Sequence, residues 1–173
     1  MKNILNTSDL YLDLLKENNN DYELASDHYY FILENELEFI QSEIMEFITR
    51  FENRYNTTIN SVCGIGYRSS HYGVIGGNGA SGGRSIELYN NDDWLINLIG
   101  VCDDFDIIIN DDKNLEINTH DHDGTNTMYI VLATEKERDS INPYDDIDYH
   151  LFNKGKKPVK LDNEFIGNFG GLK

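Results

Sequence analysis

Between about Asp27 and Tyr55, the apolar positions Leu33, Leu37, Ile40, Ile44, Phe47, Ile48, Phe51 and Tyr55 recur at steps of three and four. That is the spacing of one helix face. Neither Gly nor Pro interrupts the run, and Asn56-Thr57-Thr58 supplies an end. Ser26 or Asp27 is placed to cap the start by accepting an orphan amide hydrogen bond. At 1.5 Å per residue such a helix is roughly 40 Å long. Its opposite face carries Glu34, Glu36, Glu38, Gln41, Glu43 and Glu46, so it must meet water or a cationic partner. A shorter stripe of Leu10, Leu14 and Tyr11, with Thr7 or Ser8 as cap, predicts a first helix ending near Glu17. Asn18-Asn19-Asn20-Asp21 breaks it, and the two helices are expected to pair.

After Asn56 the period shortens to that of strands. Residues 59–67, 71–75 and 85–89 read as three strands, and 105–109 as a fourth. Asn90-Asn91-Asp92-Asp93 precedes a short helix through Trp94, Leu95, Leu98 and Ile99, closed by Gly100. Turn residues 110–113 lead into a hairpin of 115–120 with 127–134. In its second arm Met128, Ile130 and Leu132 alternate with Tyr129 and Val131, the pattern of a central strand or one covered on both faces. The sum is an α+β domain: two N-terminal helices, one long, packed on a mostly antiparallel sheet of about five or six strands. Residues 1–150 form the domain, and 151–173, with Lys154, Lys156, Lys157 and Lys160, form a loosely ordered polar tail.

Composition sharpens this reading at a few points. A chain of 173 residues can bury a core without staples, and eleven Tyr with eight Phe argue against disorder. No stretch approaches eighteen consecutive apolar residues, so no spanning helix is expected, and the N-terminus lacks the pattern of a signal peptide. Cys63 and Cys102 sit far apart in apolar runs and read as buried reduced thiols, with a disulfide as the alternative. A cytoplasmic setting follows. The net charge of −17 is the dominant global datum. It argues against direct binding of nucleic acid or an anionic membrane, both of which select basic surfaces, and favours either solubility or a basic partner.

Four constellations are candidates for chemistry. His120 and His122 of Thr119-His120-Asp121-His122-Asp123 would share one strand face and, with Asp123, offer a pair of metal ligands and a carboxylate. The alternative is a solvated hairpin end with Asp123-Gly124 as its turn. The glycine-rich residues 76–85, flanked by Arg68 and Arg84, present bare amides to an anion. They lack the Gly-Lys-Ser/Thr ending of a phosphate-binding loop, and a long hairpin loop is the plainer reading. Still, residues 61–84 carry no acid and eight of the fourteen glycines, a contrast that suits a partner contact. Ser69, Ser70 and His71 are adjacent, with Cys63 nearby, but no nucleophile elbow surrounds them. The fourth is the acidic surface. Beyond the long helix, Asp92, Asp93, Asp103, Asp104, Asp106, Asp111, Asp112, Asp121 and Asp123 fall where Lys113 is the one basic residue. Spaced carboxylates can imitate nucleic-acid phosphates and steer a protein toward a basic channel.

In size, acidity and Asn-rich composition the chain resembles the small inhibitors that phages and mobile elements encode, such as anti-CRISPR and anti-restriction proteins. The resemblance spans the whole chain in composition and carries no family residue with it. It implies a stoichiometric inhibitor, without catalysis or cofactor, that occupies the nucleic-acid channel of a basic protein such as a nuclease effector. The contact residues expected are Glu34, Glu36, Glu38, Glu43, Glu46, Asp103, Asp104, Asp111 and Asp112, with Arg68 and Arg84 reaching a second surface. An immunity protein against a nuclease toxin, a metal-dependent enzyme using His120 and His122, and a virion assembly protein are the competing readings.

Overall fold

The computed structural model describes residues 1–70, 79–89, 91–100, 104–121, 124–139 and 157–169. Six strands form one antiparallel sheet in the order β1-β4-β5-β6-β2-β3. In chain order these are β1 (Lys2–Asn6), β2 (Ser61–Ser70), β3 (Gly79–Glu87), β4 (Phe105–Ile109), β5 (Leu115–Asp121) and β6 (Gly124–Ala133). Helices α1 (Thr7–Glu17), α2 (Tyr22–Tyr55), α3 (Trp94–Ile99), α4 (Glu135–Asp139) and α5 (Asn163–Asn168) complete the described residues. The α+β class is therefore as expected.

Helix α2 starts earlier than its apolar stripe indicates. Asp21, not Ser26 or Asp27, is the cap, accepting from Leu24 N at 3.1 Å. Its 34 residues run roughly 50 Å. Asn56 ends it in the left-handed region (φ 49°), a conformation that Asn tolerates better than most residues. The early turns rest on α1 through Ala25 and Tyr29, whose ring meets Tyr11 edge-on at 5.6 Å. From Leu37 onward, Ile40, Ile44, Phe47 and Ile48 lie on the sheet with Val62, Ile107, Ile117, Ile130 and Leu132. That shared face is the core.

Strand β1 was not expected, because five residues leave too short a window for a period to show. It pairs with β4 and runs directly into α1, whose cap is Asn6 (3.0 Å to Asp9 N) rather than Thr7 or Ser8. Thr7 is buried instead, donating to Phe105 O at 2.9 Å and accepting from Phe105 N at 3.0 Å. Strand β6 lies between β5 and β2, with Ile130, Val131, Leu132 and Ala133 all buried, so the central-strand reading fits. Gly64 of β2 lies so close to β6 that a Cβ there would come within 2.5 Å of Met128 Sδ.

Two further differences matter. Residues 79–85 of the glycine-rich stretch are strand, paired with β2 from Gly64↔Arg84 to Arg68↔Gly79; the proposed strand 71–75 lies outside the described residues. Residues 157–169 are not a loose tail. Val159 N bonds Ile130 O at 2.9 Å and Leu161 N bonds Lys113 O at 2.8 Å, while Leu161, Phe165 and Phe169 enter the core. Phe165 is fully buried against Phe47 (ring centroids 6.1 Å). A polar, Lys-rich approach hid three well-spaced hydrophobes.

Candidate functional site

Helix α2 borders two clefts of opposite charge. Its middle turns and α3 enclose a groove of about 540 Å³, whose lining includes Glu34, Glu38 and Glu46 of α2 with Asp92 and Asp93. Among the described residues no Lys or Arg lines it. Leu37, Met45 and Ile96 supply apolar contacts. Gln41 fixes the groove's width: its Nε2 donates to Asp92 O at 2.6 Å and its Oε1 accepts from Leu95 N at 2.8 Å. It thereby caps α3, for which Asp93 makes no side-chain cap bond. Among the described residues, none of the five carboxylates forms a close ion pair, although Glu46 acts on Arg50 one turn further along α2.

The expected contact residues divide. Glu34, Glu38 and Glu46 share the groove, because steps of four and eight keep them near one helix face. Glu36 and Glu43 do not line it; Glu43 accepts from Asn168 Nδ2 at the end of α5. Asp104 accepts from Ser8 Oγ at 2.9 Å at the start of α1. Asp111 sits against the amino group of Met1, which holds its carboxyl below the usual range, and Asp112 is exposed in the same turn. None of these three lines the groove. Asp103 and the side chains of Arg68 and Arg84 lie outside what is described.

His120 stands in a polar ladder on the sheet face opposite the core. Its Nε2 meets Asp106 Oδ2 at 2.9 Å and its Nδ1 meets Thr125 Oγ1 at 3.0 Å. Asn118 Nδ2 donates to the other Asp106 oxygen at 2.8 Å, and Asn118 Oδ1 accepts from Thr127 Oγ1 at 2.7 Å. Both ring nitrogens therefore face protein partners, the normal engagement of a structural histidine. His122 and Asp123 lie outside the described residues, among which no group of three His, Cys, Asp or Glu side chains is placed to hold a metal. Cys63 is buried, and Cys102 is also outside the described residues.

The second cleft, about 430 Å³, lies at the other end of α2 and was not foreseen. Arg50, Arg54, Lys113, Lys157 and Lys160 all line it, five of the chain's fourteen basic residues. Three separate stretches of sequence supply them: the end of α2, the β4–β5 turn and the segment before α5. The signal available was Arg50 and Arg54, four apart on an otherwise acidic helix. Arg50 is already committed: Nε and Nη2 hold the Asp162 carboxylate at 2.8 and 3.0 Å, and Nε also approaches Glu164 at 3.3 Å. The hydrogen bond from Arg50 lowers the Asp162 pKa, and Asp162 caps α5 by accepting from Phe165 N at 2.8 Å.

Compared with known proteins, the chain matches no family model, no curated protein and no solved structure. Among the described residues no helix is long and apolar enough to cross a membrane. The clefts must therefore carry the functional argument.

Proposed function

We propose that this protein is a binding protein whose α2–α3 groove receives basic side chains of a nucleic-acid-binding partner. In this reading it is an acidic inhibitor of the anti-CRISPR or anti-restriction kind. The observation that supports it is the convergence of five carboxylates, three from α2 and two from the turn before α3, on one groove that no Lys or Arg among the described residues lines. Glu34 and Glu46 are roughly 18 Å apart along the axis, a span over which one strand carries several phosphates. Apolar side chains between the acids lower the local dielectric and strengthen attraction for an arriving guanidinium. Long-range steering would come from the net charge of −17 and would weaken with salt.

The test is a pull-down from lysate of the organism that carries the protein, read by mass spectrometry, with wild type beside Glu34→Lys/Glu38→Lys/Glu46→Lys. A nuclease or another nucleic-acid-binding protein captured at low salt, released at high salt and lost in the triple variant is the expected result. Capture undiminished by the triple reversal would remove the groove from the mechanism.

A further inference from the structure

The geometry points to the basic cleft as a binding site for a nucleotide carrying two or three phosphates. This inference is independent of the acidic groove and stands on different residues. Arg50 is neutralised by Asp162 and Glu164, and Arg54 also acts on Asp162, but Lys113, Lys157 and Lys160 form no ion pair among the described residues. In a chain with 31 acidic residues, three lysines without an ion pair beside two arginines around one cleft favour an arriving anion. Among the described residues the one acid lining the cleft is Asp162, and Arg50 already occupies both of its oxygens.

The remaining wall selects the body of the ligand. Phe51 and Tyr55 pack with ring centroids 4.6 Å apart, and the Arg54 guanidinium lies 5.5 Å from the Tyr55 ring. Tyr55 is nevertheless 58% exposed, so an aromatic surface stays open beside the cations. Stacking on an aromatic ring with a guanidinium nearby is how proteins hold a base without reading its identity. A volume of about 430 Å³ falls in the range of small-ligand sites. The floor is rigid: Phe47 and Leu161 belong to the core, and Leu161 N is bonded to Lys113 O at 2.8 Å. That bond locks the turn that presents Lys113 to the segment that presents Lys160, which is bridged to it at Asn114.

Calorimetric titration of the full chain with ATP, ADP, adenosine and inorganic triphosphate tests the site. ATP should bind most tightly, triphosphate more weakly and adenosine undetectably. Lys157→Glu/Lys160→Glu, both exposed positions, should weaken ATP and triphosphate together by at least about tenfold. Tyr55→Ala should weaken ATP several-fold while leaving triphosphate unchanged, a split that loss of fold cannot produce. ATP and ADP both failing to bind at millimolar concentration would overturn the proposal, as would ATP affinity indifferent to the lysine reversal. Triphosphate binding as tightly as ATP would remove the nucleotide and leave a generic anion site. The acidic-groove triple variant should bind ATP like wild type, which keeps the two readings separable.

Discussion

The two ends of α2 use one backbone for opposite purposes. In the middle turns, Glu34, Glu38 and Glu46 face α3 and are held open by Gln41, which reaches across to cap that helix. In the last turns, Phe47, Arg50, Phe51, Arg54 and Tyr55 face a strand-like segment from the far end of the chain. Among the described residues the acids of the groove form no close ion pair, Glu46 alone acting on Arg50 across one helical turn, whereas the basic cleft commits one of its five cations to its own architecture. That cation, Arg50, ties α2 to the α5 cap through Asp162. Cations near a helix C-terminus are also favoured by the peptide dipoles, so the basic end is stabilised where the acidic stretch is merely tolerated. A surface that holds unpaired charge at the cost of stability is more informative about binding than one whose charges also serve the fold.

The contrast can be broken most severely from the basic side. Phe165→Ala should cost about 3–5 kcal/mol, because a fully buried ring is replaced by a cavity. Thermal unfolding should then fall by roughly 10 °C, with the 157–169 segment losing protection from hydrogen exchange first. Next in size, Asp162→Ala removes both the α5 cap and the Arg50 pair, an expected loss of about 2 kcal/mol at neutral pH. Its sign with pH is determined. Arg50 depresses the folded carboxyl pKa, so the contribution is complete above the unfolded carboxylate's pKa and disappears as pH falls through the lowered folded value. Melting curves of wild type and Asp162→Ala should therefore converge in acid.

The acidic groove should respond more mildly. Gln41→Ala unties α3 and should cost about 1 kcal/mol, read by denaturant unfolding, with no effect on the basic cleft's ligand. Smallest of all, Glu34→Gln/Glu38→Gln should raise stability slightly, by about 0.2–0.5 kcal/mol for the relieved i,i+4 like-charge pair. The gain should shrink in high salt. A clear loss of stability in that variant would mean the carboxylates serve the fold, and the asymmetry between the two ends would vanish.

Much of this was legible in the residues themselves. The 3.6-residue period from Leu33 to Tyr55 specified a long amphipathic helix, since any other conformation scatters those side chains. The alternation of β6 and the turn chemistry of 110–113 likewise point one way; Asn110 Oδ1 accepts from both Asp112 N and Asn114 N at 3.0 Å. Caps were harder: Asn6 and Asp21 stood beside rivals of equal chemistry, and backbone angles chose between them. Strand β1 has no long period, and only pairing with β4 gives it a partner.

Charge by itself determined that the protein would be acidic and that α2 would carry a row of glutamates. Which glutamates share a groove was decided by where α3 lands, since a helix has several faces and the neighbour selects one. The basic cleft belongs wholly to the tertiary structure. Arg54, Lys113 and Lys160 are scattered through the sequence, and their convergence needs Leu161, Phe165 and Phe169 to pull the end of the chain into the core. Local periodicity reports what each segment can bury; only packing decides which distant charges are left facing one another.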